Sequence, residues 1–427
     1  MATIVKGINM KKLSVIYIIA VFLQMYPQAQ ASIHSEYSRP KIVFIHGWLG
    51  WGEHKMLGLR SWGGAFLSIR GLFKSAGYDT IELGVGPLSS NWDRTAEAYA
   101  QLKGGCVDYG LAHSREHDHD RFGVCYKAKF KDWGDSQDKN IHLVGHSLGG
   151  LTSRLLVDLL FDGDEKELAT NYAGHKPISP LYLGGKKYWV KSVNTVASGH
   201  NGTPLTNFIY EKFPNVILRF AQAVSALHFF EPLTTAIYDF QVGHWGLIQK
   251  KGESYGDFLK RFKKHRINNG KDVSLFDLRP EGAMYLNSFA DAKENVFYTS
   301  WPIYTTRTDY DKVESVGTIW TSPILKYFSE IIGKKTQDWV IYYNSDIKWL
   351  KNDGLVPTES QKCPIFRSMD KCYSYDGYLV KGSWAVMPEF ASDHLEIIGM
   401  TDIFRARTRV RDFWLRLRAA IQDMDEE

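Results

Sequence analysis

Ser147 stands between Gly145 and Gly149, two residues from each. That spacing belongs to a turn from strand to helix in which the serine backbone is strained and side chains at the flanking positions would collide with their neighbours. The turn leaves one hydroxyl exposed at its tip. Serine is a poor nucleophile at its own pKa, so it needs an adjacent base, and the base needs an orienting acid. Both follow in the chain order such a site requires: Asp353 in Asn352-Asp353-Gly354, then His394 in Ser392-Asp393-His394. Asp346, Asp370 and Asp376 are rival acids, but Asp353 is the one in a turn of the kind that offers an acid to a site. Attack on an acyl carbon also needs N–H groups aimed at the oxygen that gains charge. The backbone amides of Trp48, in the glycine-rich loop His46–Gly52, and Leu148, next to the serine, are the candidates.

Elements able to position these groups can be read around them. Lys41–Ile45 is a buried-type strand entering the His46–Gly52 loop. Asn140–Val144 is another, and Leu151–Leu160 after it repeats apolar residues at helical spacing. Strand-like runs recur at Asp79–Val85, Tyr188–Val196 and Asn295–Ser300, with helices expected at Arg94–Leu102 and Phe404–Met424. Strand alternating with helix predicts an α/β fold with a mostly parallel central sheet covered on both faces. Gly104–Phe130 shows no clear helix or strand pattern. With 427 residues, 44% of them apolar, and no repeat or linker, the chain reads as one large domain able to bury a full core. Its net charge of +5 comes without a basic stripe interleaved with aromatics, which argues against nucleic-acid binding. Gly243–Lys271 is basic and polar and is expected at the surface.

Residues 1–31 read as a signal peptide. Lys6, Lys11 and Lys12 precede the apolar run Leu13–Met25, and Ala29-Gln30-Ala31 has the form of a cleavage site; a retained amphipathic anchor is the alternative. No other run is long enough to cross a membrane, so a secreted, extracellular protein of residues 32–427 is expected. In that setting Cys106, Cys125, Cys363 and Cys372 favour two sequence-local disulfides among three connectivities. Asn201-Gly202-Thr203 is a possible glycan acceptor.

Two stretches admit two readings each. His113, His117 and His119, with Asp93 upstream, offer donors that suit zinc, or form a polar surface loop. Phe208–Phe230 is either a core helix or a lid whose apolar face closes over the site in water.

The chain resembles the zinc-containing secreted lipases that comprise the thermoalkaline bacillar and staphylococcal enzymes. The likeness runs from about Pro40 to Leu417. It rests on Val43-Phe-Ile-His-Gly47 with Gly50-Trp-Gly52, on Gly86-Pro-Leu-Ser-Ser-Asn-Trp-Asp-Arg94 through Leu102, and on Val107-Asp-Tyr-Gly110 with the histidine loop. Tyr238-Asp-Phe240, Trp245-Gly-Leu247, Asn352-Asp-Gly354 and His394-Leu-Glu396 complete it. The resemblance implies an α/β-hydrolase fold with a zinc-binding insertion (about 93–130 and 240–275) and a helical lid (about 208–231). It implies the triad Ser147, Asp353 and His394, and a structural zinc on Asp93, His113, His119 and Asp272, with His117 spare. A calcium ion would take Gly317 and Glu396, with Asp402 substituting for a family aspartate from a shifted position. Leu148 stands where the family usually has glutamine, and the four cysteines are not a general family trait. The implied activity is a triacylglycerol lipase acting at a lipid–water interface on an acylglycerol, with no nucleic-acid or protein partner. A phospholipase, a short-chain carboxylesterase and a non-catalytic lipid-binding protein are the alternatives.

Overall fold

Seven short strands form one sheet: β1 (Lys41–Ile45), β2 (Thr80–Leu83), β3 (Ile141–His146), β4 (Val190–Val196), β5 (Phe297–Trp301), β6 (Lys371–Ser374) and β7 (Ser383–Val386). Their order is β6-β7-β5-β4-β3-β1-β2, and every neighbouring pair is parallel. Alternation along β1 explains how the sheet is covered. Val43 and Ile45 enter one apolar cluster with Leu143, Leu151 and Leu155, while Ile42 and Phe44 enter another with Phe73, Phe413 and Trp414. Helices α2 (Asn91–Lys103) and α4 (Leu148–Phe161) contribute to the first cluster; α1 (Ile69–Lys74) and α6 (Arg409–Glu426) contribute to the second. The central strands β3 and β4 are buried almost throughout, as parallel strands between two helical layers must be.

This computed structural model describes residues 39–53, 59–171, 177–212, 239–268, 270–334, 347–401 and 408–427. The chain falls into two units, Met1–Ser38 and Arg39–Glu427. The expected signal peptide, residues 213–231 of the expected lid, and Asp402 lie outside the described residues. Residues 208–212 of the lid fall in the helix Pro204–Lys212. Among the described residues no helix is long and apolar enough to cross a membrane.

The stretch without a sequence pattern is ordered after all. Gly105–Asp108 pairs antiparallel with Phe122–Tyr126, and α3 (Leu111–His117) lies between them. Most of this hairpin is exposed, so it needs no alternation of apolar residues. Cys106 lies opposite Cys125, and a disulfide joins them; a second joins Cys363 to Cys372. The basic stretch is only partly superficial: α5 (Tyr255–Lys264) contributes Phe262 to a buried cluster with Trp245, Leu247 and Ile267. Asn201 is fully buried, with Nδ2 donating to the Cys363 carbonyl (2.8 Å) and Oδ1 accepting from Ile365 N (2.9 Å), so it is no glycan acceptor in the folded chain.

The two glycines flanking Ser147 are required by contact. A Cβ on Gly149 would lie 2.0 Å from the Ile45 carbonyl oxygen, and one on Gly145 would lie 2.5 Å from the backbone of Gly149. Both obstacles are backbone, which cannot move aside cheaply. Gly149→Ala is expected to destabilise the fold by about 3 kcal/mol, read as a lower urea midpoint at unchanged slope. An unchanged midpoint would contradict this packing.

Candidate active site and metal cluster

Ser147 joins β3 to α4 at φ 55° and ψ −127°, a conformation costly for any side-chain-bearing residue. Its amide donates to the Val196 carbonyl (2.9 Å), which fixes the turn against β4. Arg94, buried on α2, donates to the carbonyls of His46 and Gly86 (2.9 Å for the latter) and to Thr152 Oγ1 (3.0 Å) on α4. One guanidinium therefore ties the loop after β1 to the helix after Ser147.

His394 Nδ1 lies 2.6 Å from Asp353 Oδ2, and both residues are buried. Because a carboxylate can only accept, Nδ1 carries the proton and Nε2 is left with its lone pair. Asp353 Oδ1 accepts from the amides of Leu355 (2.9 Å) and Val356 (2.8 Å), and Oδ2 also accepts from Gln361 Nε2 (3.0 Å). Asp353 follows a 3-10 turn, Ile347–Leu350. Its rivals are otherwise engaged or exposed. Asp370 accepts from Ala292 N (2.6 Å) and Trp384 Nε1 (2.8 Å), Asp376 is exposed, and Asp346 lies outside the described residues.

Two further imidazoles line the same cavity as Ser147 and His394. His146 Nε2 is 3.1 Å from the His394 carbonyl, and its pKa is held well below the usual value, first by burial and then by His394. His46 is pushed down to about 3, first by burial and then by Arg94. Both therefore stay neutral near pH 7, and the His146 Nε2–H donates to the His394 carbonyl. Among the described residues the Trp48 amide has no hydrogen-bond partner, whereas Leu49 N and Gly50 N donate to Pro87 O and Gly47 O. The Leu148 amide opens α4, where the first-turn N–H groups have no partner within the helix. Ser147, His394 and Trp48 line one cavity of about 360 Å³, walled mainly by apolar side chains such as Trp62, Leu205, Leu278, Phe328 and Ile398.

A second cluster gathers Asp93 from the first turn of α2, His113 from α3, His119 after it and Asp272 before the helix Ser274–Asp277. Their donor atoms all lie within 4.8 Å of one another. His113 Nε2 is 3.3 Å from Asp93 Oδ1 and 3.2 Å from Asp272 Oδ1, and His119 Nε2 is 3.4 Å from Asp272 Oδ2. Asp93 Oδ1, both Asp272 oxygens and both Nε2 atoms are buried without a hydrogen-bond partner. Two buried carboxylates and two imidazoles converging in this way form a donor set for a cation. The surrounding groups fit the same purpose: His244 Nε2 meets Asp93 Oδ2 (3.0 Å), Tyr109 OH meets His244 Nδ1 (3.3 Å), and Trp92 stacks on His113. His117 lies beside His113 but outside the cluster.

Of the residues named for calcium, Asp402 lies outside the described residues. Gly317 ends the strand Glu314–Gly317, and Glu396 Oε2 accepts from Ser392 Oγ (3.0 Å), while burial raises the Glu396 pKa. Sequence reading missed Gln361, His244 and Arg94. Each reaches its partner through tertiary packing, and no local spacing marks it.

The family model described as "Lipase-like, C-terminal domain" matches residues 38–426. A lipase of Staphylococcus hyicus is 35% identical over 382 residues, covering 87% of this chain and 56% of the relative. The chain thus spans about half the length of the curated relatives it matches. The crystal structure of Staphylococcus hyicus lipase superposes with a TM-score of 0.79 at 32% identity, covering 91% of this chain and 96% of that one. EstA from Clostridium botulinum superposes with a TM-score of 0.76 at 34% identity, covering 90% and 87%. With its parallel sheet, flanking helices and strained serine turn, the chain has the α/β-hydrolase fold and belongs to the lipase-like, C-terminal domain family, beside the staphylococcal lipases.

Proposed function

We propose that this protein is a secreted triacylglycerol lipase that cleaves carboxylic esters of glycerolipids through an acyl-enzyme on Ser147. The observation that carries the reading is the 2.6 Å bond to Asp353 from His394, which lines one apolar cavity with Ser147. Ser147 Oγ attacks the ester carbonyl carbon as His394 Nε2 takes its proton. Asp353 holds the tautomer and stabilises the imidazolium. The amides of Trp48 and Leu148 receive the oxyanion. As the intermediate collapses, His394 returns the proton to the leaving alkoxide; water then repeats the sequence on the acyl-enzyme and releases the fatty acid. The apolar wall suits an acyl chain, and a segment of about 208–231 acts as the lid.

Asp93, His113, His119 and Asp272 would hold a zinc ion. Four protein ligands and no open position make it structural, a charge-neutralising cross-link of the 93–130 and 240–275 segments to the body of the fold. A calcium ion on Gly317, Glu396 and Asp402 is a second metal of this reading, which metal analysis of the purified protein tests.

A fluorophosphonate probe is expected to label Ser147, and hydrolysis of tributyrin to rise sharply as the substrate passes its solubility limit. Saturation on soluble esters alone would assign a short-chain carboxylesterase, and preference for phospholipids a phospholipase. Absence of labelling would leave a non-catalytic lipid-binding protein.

A further inference from the structure

Between Ile248 and Lys271 the chain carries eight lysines and arginines against two acidic residues, an excess larger than the net +5 of the whole protein. The positive charge of the molecule is therefore concentrated in one segment. On α5 the side chains of Phe258, Leu259 and Phe262 turn into an apolar cluster, which puts Lys260, Lys263 and Lys264 on the opposite, exposed face. Lys250 and Lys251 stand exposed on the preceding turn. Arg261 holds that turn to the helix: its guanidinium donates to the carbonyls of Gly246 (2.6 Å) and Ile248 (2.8 Å) and meets Glu253 at 2.9 Å. The two acidic residues are already engaged, Glu253 by Arg261 and Asp257 by Lys260. Among the described residues Lys250, Lys251, Lys263 and Lys264 form no salt bridge.

This basic face is not remote from the cavity. The cluster beneath α5 also takes in Trp48 and Leu49, which line the cavity wall. Ile248, 65% exposed, stands next to the lysines. Clustered lysines with an apolar side chain among them suit a surface that is anionic outside and apolar beneath. A bare polyanion offers nothing to the isoleucine.

We infer that the basic face of α5 and its preceding turn docks the protein onto an anionic phospholipid surface and brings the cavity to esters held there. The inference rests on the proposed lipolytic function, but its binding step needs no catalysis. The test therefore uses vesicles of ether-linked phospholipids, which offer no ester to cleave, made of phosphatidylcholine alone or mixed with phosphatidylglycerol. The full chain is expected to float with the mixed vesicles, to be released by salt, and to ignore the neutral ones. Replacing Lys250, Lys251, Lys263 and Lys264 together with glutamate is expected to reduce partitioning at least about tenfold, with hydrolysis of a soluble short-chain ester unchanged. A control with the same charge change at the exposed Lys166, Lys187, Lys312 and Lys348 should still bind.

Equal flotation of parent and variant, equal loss in the control, or equal partitioning to neutral vesicles would overturn the inference. So would stronger retention on soluble heparin than on the vesicles. Because flotation is read without turnover, a protein that binds but hydrolyses nothing would refute the enzyme reading alone.

Discussion

Ser147→Ala is expected to lower kcat for ester hydrolysis by about five to six orders of magnitude while KM stays within a few-fold. The substitution removes one oxygen and leaves everything else in place. The His394–Asp353 hydrogen bond, the amides of Trp48 and Leu148 and the apolar wall do not depend on the hydroxyl. Substrate should therefore bind as before, because binding is supplied by the wall. Chemistry should nearly stop, because the proton that His394 would take no longer has a nucleophile beneath it. Residual rate above the uncatalysed reaction would come from oxyanion stabilisation and positioning alone. The turn should also survive: φ 55° is tolerated here because the surrounding backbone imposes it, and alanine meets no more strain there than serine. Thermal unfolding should match the parent. The measurement is steady-state hydrolysis of a soluble ester beside that of tributyrin, with fluorophosphonate labelling counting the active sites. An alanine variant within about a hundredfold of the parent would place the reaction on another residue.

How much of this was readable from the chain depends on the range of each interaction. The serine turn is local: five residues fix the strain, and the steric demand on Gly145 and Gly149 appears directly as their identity. Five of the seven parallel strands could be read because burial makes them apolar runs, whereas Lys371–Ser374 and Ser383–Val386 were missed, the first being mostly exposed. Asp353 was named for its place before a glycine turn, and a 3-10 turn, Ile347–Leu350, precedes it. What steadies the carboxylate, Gln361 eight residues on, has no sequence period, because its approach is set by the fold around Ile303 and Val356. The hairpin bearing the histidines was invisible for another reason. It is held by a disulfide and by convergence on Asp93 and Asp272, so its strands need not alternate apolar and polar residues. His244 was missed likewise, meeting Asp93 across 151 positions.

That convergence carries the second large prediction. Removing the metal with a chelator is expected to lower the melting temperature by about 5 °C or more, and added zinc to restore it. The sign follows from the cluster's composition. Without a cation, Asp93 and Asp272 keep two buried carboxylates close together, with three of their oxygens lacking a hydrogen-bond donor. Each such atom costs about 1–3 kcal/mol, and the like charges oppose each other. A divalent ion satisfies all of them at once and binds the folded chain alone, adding about 4 kcal/mol when present at a thousand times its dissociation constant. In a chain of this size that energy corresponds to a shift of several degrees. The ligands are separated by up to 179 positions, so the ion also ties a long loop to the body of the fold. Asp272→Ala should reproduce the loss and abolish the response to chelator, since the site would then lack a ligand contributed by no other element. Activity on a soluble ester at room temperature should change little in either case, because no open position is left for substrate. A melting temperature indifferent to chelator, or a purified protein with well under one equivalent of metal, would remove zinc from the description. A kcat that collapsed while the fold stayed intact would move the ion from the scaffold to the chemistry.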